Sequence, residues 1–210
     1  MPLRRIILLV FCMCTLIIVI SSCATAPVAR HTETQVIRTH APIVLLTPIV
    51  QYKDIQNDYR DVIGDYSWLE NHLQTMSIEL LSNKGFNISN NDTVNALVAQ
   101  RARNDATFDI YRDIHGSQAD AVVHQLHDII GNAYLLVIKT VVYKGPRGMW
   151  NPTNGAMTSA ANRTQVRAKL VDLSSSTIVW RNEAQYNDIP DQKDENFNQM
   201  ISLLYSTISQ

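Results

Sequence analysis

The sequence predicts an α/β protein, an α+β sandwich in which a mixed β-sheet of about five strands packs against helices. Three observations carry that prediction. Ile43-Val44-Leu45-Leu46 and Tyr134-Leu135-Leu136-Val137-Ile138 are continuous apolar runs, the pattern of strands buried on both faces, and the second belongs at the sheet centre. Leu69, Leu73, Met76 and Leu80 recur at helical spacing, as do Phe197, Met200, Ile201, Leu204, Tyr205 and Ile208. Such stripes suit helices docked on a sheet. Val166, Ala168 and Leu170 alternate with Arg167 and Lys169, Ser174-Ser175-Ser176 turns the chain, and a partner strand follows over residues 177–185, which makes a hairpin.

Taken in order, the chain begins with residues that stand outside this domain. Arg4 and Arg5 precede a nearly unbroken apolar run over residues 6–20, and Ser21-Ser22-Cys23 closes it, so residues 1–22 read as an export signal. The competing reading is a membrane anchor. An apolar run of roughly 15 residues is short of the ~20 that span a bilayer, and no basic cluster follows. Ile20-Ser21-Ser22-Cys23 resembles the lipobox of bacterial lipoproteins, which is cut between Ser22 and Cys23. The resemblance implies a diacylglycerol and an N-acyl chain on Cys23, and no other cofactor is expected. Ala24, where an aspartate would favour the inner membrane, implies an anchor in the outer membrane with the protein facing the periplasm. Cys12 and Cys14 leave with the signal and Cys23 becomes a thioether, so stability has to come from core packing rather than disulfides.

Residues 23–39 are polar and without hydrophobic period, and read as a lipidated tether; residues 40–210 form the single periplasmic domain. A strand over residues 42–50 is limited by Pro48. Ser67-Trp68-Leu69-Glu70 has capping-box spacing and starts a helix that Gly85 ends. A short strand covers residues 86–89. Asp92 caps a helix in which Val94, Leu97 and Val98 are apolar, ending near Arg103; residues 104–117 fit no single pattern. Residues 118–130 predict another helix, with Val122, Leu126, Ile129 and Ile130 inward and Gly131-Asn132 as its stop. The central strand follows at residues 133–143. Gly145-Pro146-Arg147-Gly148 and Asn151-Pro152-Thr153-Asn154-Gly155 make residues 144–163 a long loop, and the last helix begins near Asp194.

Of 18 Lys and Arg residues, Arg4 and Arg5 leave with the signal, so 16 face 19 Asp and Glu in the mature chain, a formal charge of −3. Without a clustered excess of positive charge, nucleic acid is not expected as a partner.

Gly131-Asn132-Ala133-Tyr134-Leu135-Leu136, with Ala168-Lys169-Leu170-Val171-Asp172-Leu173 and Ile178-Val179-Trp180, resembles a group of small periplasmic lipoprotein domains with the fold of the TolB amino-terminal domain. That group includes CsgG-like secretion lipoproteins, LpoB-like activators of penicillin-binding proteins and lipoproteins of unassigned function; the pattern is most similar to the last. The resemblance implies the fold and no particular activity. CsgG-like pores carry barrel strands of about 9 to 11 alternating residues, which Pro146 and Pro152 interrupt here. LpoB-like activators have a long tether, and this one is short.

His124 and His127 with Asp128, and His115 if the ambiguous segment folds back, sketch a metal site. With no cysteine left to complete a set of four, these histidines read instead as solvated or hydrogen-bonded, and no metal is expected. No Gly-x-Ser-x-Gly elbow marks a hydrolase, and Gly145-Pro146-Arg147-Gly148 lacks the lysine of a phosphate loop. Trp150, with Met149 and Met157, is the candidate partner-binding set, since aromatic and thioether side chains favour interface centres. The competing reading has Trp150 folding back to cap the sheet. Trp180 reads as core. The expected function is a non-enzymatic binding or assembly component of an envelope complex for transport, secretion or cell-wall maintenance, with an envelope protein or a second copy as partner. The alternatives are a subunit of an oligomeric CsgG-like secretion channel and an unrecognised periplasmic hydrolase or metal-binding enzyme.

Overall fold

The structure, a computed structural model, describes residues 28–34, 37, 41–54, 60–61, 67–114, 121–145, 149–150, 157–158 and 162–208. Its organising element is β6 (Tyr134–Lys144), the uninterrupted apolar run. One edge of β6 pairs antiparallel with β9 (Arg163–Asp172) along its whole length. The other edge takes two strands in succession, both parallel: β2 (Ile43–Leu45) beside residues 134–136 and β3 (Ile49–Asp54) beside residues 139–144. Pro48 stands between them, where a residue with no amide proton breaks the ladder. Outward from β9 come β10 (Thr177–Tyr186) and β1 (Val28–Thr34), both antiparallel. Beyond β2 lies the parallel β5 (Ile88–Asn90), and beyond β3 the short antiparallel β4 (Arg60–Asp61). The result is a mixed sheet of eight strands, sandwiched between helices as an α/β domain.

Two cores sit on its two faces. On the first, Tyr134, Leu136, Ile138 and Val142 of β6 join Val166, Ala168 and Leu170 of β9 and Trp180 of β10 beneath α1 (Ser67–Asn83) and α5 (Glu195–Leu204). All six residues of the predicted α5 stripe are buried, and Asp194 caps the helix by accepting from the Phe197 amide at 3.1 Å. On the second face, Val44, Leu46, Leu135, Val137 and Val171 pack against α2 (Asp92–Asn104), α3 (Ile110–Asp113) and α4 (Ala121–Ile130).

Several expectations need correction. The stretch read as a tether contributes β1, so sheet structure begins five residues after Cys23. Main-chain pairing with β10 stabilises this strand. The strand expected at residues 86–89 forms at Ile88–Asn90. In α1 the buried stripe is Leu69, Leu73, Ser77 and Leu81, leaving Met76 and Leu80 half-buried. The cap of α2 is Asn91, whose Oδ1 accepts from the Val94 amide at 3.1 Å; Asp92 occupies the first turn. In α4, Val123 is buried and Ile129 is 43% exposed. Gly131, at φ +78, then closes α4 by donating to the His127 carbonyl at 2.7 Å. The expected loop at residues 144–163 contains a hairpin of β7 (Met149–Trp150) and β8 (Met157–Thr158).

One internal group is out of balance. Thr140 is fully buried in β6 between its partners Val50 and Val166, and among the described residues its hydroxyl has no hydrogen-bond partner. Valine keeps the shape and removes the desolvated hydroxyl. Thr140→Val should therefore raise stability by about 1 kcal/mol, read as a higher denaturation midpoint at unchanged slope. A lower midpoint would show that the hydroxyl is paired.

Candidate functional site

Strand register places the predicted interaction residues. Val28 opens β1 opposite Gln185, Tyr186 lies opposite Thr164, and Arg163 opposite Tyr143. The start of β1 and the β7–β8 hairpin therefore leave the same end of the sheet. Within the hairpin Trp150 is the partner of Met157, and Met149 that of Thr158, so the three candidates share one small ladder. Ser22, Cys23 and His115 lie outside the described residues. The histidines of α4 are not brought into a cluster: His124 and Asp128 are exposed, and His127 Nε2 lies 3.3 Å from Asn132 Oδ1. Among the described residues no group of three His, Cys, Asp or Glu side chains is placed to hold a metal ion.

Two clefts open on the second face. The first, about 590 Å³, runs between the β2–β3 junction and α2. Pro48, Ile49 and Val50 form one wall, and Ala99, Ala102 and Phe108 contribute to the other. The Thr47 amide donates to Asn95 Oδ1 at 2.9 Å and ties the junction to the helix.

The second cleft, about 550 Å³, is of different character. It lies beside α3, and Arg112, Lys139, Arg167, Lys169 and Arg181 line it together with Asp109, Tyr111, Ile114 and Ile178. Register explains how residues distant in sequence meet: Lys139 of β6 is the partner of Arg167 in β9, and Lys169 of β9 is the partner of Arg181 in β10. The alternation of β9 sends Arg167 and Lys169 to the face opposite Val166, Ala168 and Leu170.

Local bonds hold these side chains in place. Lys169 is only 4% exposed; its ammonium donates to the Tyr111 and Ile114 carbonyls and lies 4.5 Å from the Tyr111 ring centroid. Asp109 caps α3 by accepting from the Tyr111 and Arg112 amides at 3.0 and 3.2 Å, and its second oxygen pairs with Lys139. Burial alone would raise the Asp109 pKa, but the Lys139 ammonium and the two amides outweigh it and hold the carboxyl below its ordinary range. Burial raises the pKa of Tyr111, so its ring is a neutral wall. Arg167 Nε meets Glu183 at 2.9 Å, and Arg112 Nε meets Asp113 at 2.8 Å. This arrangement offers fixed positive charge in a recess, suited to holding an anion. The sequence hid it because only the Arg167–Lys169 pair is local; Arg112, Lys139 and Arg181 join it through tertiary contacts.

Other polar side chains serve the fold. Ser77 Oγ donates to the Leu73 carbonyl at 2.6 Å and shares a 2.8 Å hydrogen bond with Tyr205 Oη inside the first core, where burial raises the tyrosine's pKa. His72 Nε2 is 2.6 Å from Asn198 Oδ1, joining α1 to α5.

No family model matches the chain, and no curated protein does. Solved structures similar to it include the lipoprotein GNA1162 of Neisseria meningitidis, with 19% identity, coverage of 77% of this chain and 92% of that one, and a TM-score of 0.45. The PelC dodecamer of Paraburkholderia phytofirmans is 10% identical, with 87% and 99% coverage and a TM-score of 0.44. The carboxy-terminal domain of LpoB from Salmonella enterica is 9% identical, with 74% and 88% coverage and a TM-score of 0.41.

Proposed function

We propose that the chain is a lipoprotein anchored through Cys23 in the outer membrane, facing the periplasm, and acts without catalysis as a binding or assembly component of an envelope complex. The observation that carries this reading is the short interval between Cys23 of the lipobox and the first strand of the sheet. Five residues span at most about 17 Å when extended. An acyl anchor at Cys23 therefore holds the start of β1, and with it the β7–β8 end of the sheet, against the bilayer. Met149, Trp150 and Met157 are on that end, where a membrane-embedded partner is within reach. No helix among the described residues is long and apolar enough to cross a membrane. A CsgG-like barrel finds little support, because Pro146 and Pro152 interrupt the alternation that spanning strands of about 9 to 11 residues need.

Metabolic labelling with a radioactive fatty acid tests the anchor. The native chain should incorporate label and fractionate with outer membranes, whereas Cys23→Ala should lose the label and accumulate as an uncleaved precursor. Normal outer-membrane fractionation of the variant would refute the assignment.

A further inference from the structure

We propose that the cationic cleft beside α3 binds a small organic polyanion, a ligand carrying two or more phosphate or carboxylate charges. The charge balance motivates it. Five cations line the cleft, and among the described residues Asp113, Asp109 and Glu183 pair with Arg112, Lys139 and Arg167. The chain as a whole has a formal charge of −1, so this concentration runs against its average.

Across the strands the placement works against the sheet. Like charges directly opposite each other on neighbouring strands are destabilising, and two such pairs, Lys139 with Arg167 and Lys169 with Arg181, stand side by side here. A bound dianion converts that repulsion into attraction. The shape supplies the rest. A recess of about 550 Å³ matches a small ligand rather than a protein surface. Arg167 and Arg181 sit at its mouth, exposed enough to present planar forks to an oxyanion. Lys169, fixed by two main-chain carbonyls, forms the floor, and Tyr111 and Ile178 give an apolar wall for the ligand's carbon frame.

Calorimetric titration of the full mature protein in mild detergent, at constant ionic strength, with pyrophosphate and with citrate as probes, tests the site. Saturable binding of at least one probe at one site per chain is expected. Arg167→Gln and Arg181→Gln should each weaken it at least tenfold, and Arg103→Gln, on the exposed side of α2, should leave it unchanged. Tighter binding of pyrophosphate assigns a phosphate ligand and tighter binding of citrate a carboxylate; both support the proposal. Absence of saturable binding to the folded native chain overturns it, as does undiminished binding in both cleft variants. Arg181 is exposed, so its variant tests the idea even if Arg167→Gln fails to fold.

Discussion

Trp180→Ala lowers the stability of the domain by about 4 kcal/mol, in the range for truncating a buried aromatic residue. Trp180 has no exposed surface, and it joins β10 to the turn that closes α5. Its ring stacks on Tyr205 at 5.9 Å between centroids and 18° between planes, and its Nε1 donates to Thr207 Oγ1 at 3.1 Å. Alanine removes both contacts and leaves a cavity among the buried side chains of the first core. The companion Trp180→Phe keeps most of the stacking and loses the hydrogen bond, so it should cost about 1 to 2 kcal/mol. Urea denaturation followed by circular dichroism measures both. A loss below about 1 kcal/mol for alanine would mean that α5 is not docked as described.

Asp109→Ala should destabilise by about 2 to 3 kcal/mol, combining a lost helix cap of about 1 kcal/mol with a partly buried ion pair and its stranded ammonium. Here the effect also depends on pH, and its direction is fixed. The folded-state pKa of Asp109 lies below its unfolded value, so its contribution is fully present above the ordinary carboxylate pKa and is lost as pH falls through the folded-state pKa. The stability gap between native and variant should be full at pH 7 and close progressively below about pH 4. A gap that stays constant from pH 7 to pH 3 would show that the Lys139 pair contributes nothing and that only packing was lost.

What the sequence disclosed and what it hid follow a physical division. The β9–β10 hairpin and α5 were legible because each buries one face through local periodicity: Val166, Ala168 and Leu170 in alternation, Phe197 to Ile208 at helical spacing. β6 was legible because both its faces are covered, which demands an unbroken apolar run. β1 was not, since the bonds that make it a strand belong to the backbone and its polar side chains resemble a linker. Ile129 misled because helical spacing fixes which residues share a face but not how far the neighbouring element extends over it. Of the candidate site, Met149, Trp150 and Met157 were found by composition alone; their grouping came from the pairing of Trp150 with Met157 and of Met149 with Thr158. The cationic cleft required three strands and a one-turn helix to converge.

The place of β1 also has a mechanical meaning. Hydrogen bonds between antiparallel strands lie perpendicular to them, so the direction of a pull decides how the β1–β10 ladder bears it. If Cys23 is held by the membrane and a partner draws the domain away along the strands, every bond between Val28 and Thr34 and its partners on β10 shares the load in shear. A sideways pull at the β7–β8 end would instead load the Val28–Gln185 pair first and peel the ladder open one pair at a time. The same seven residues are thus a firm handle for force along the sheet and a weak one for force across it.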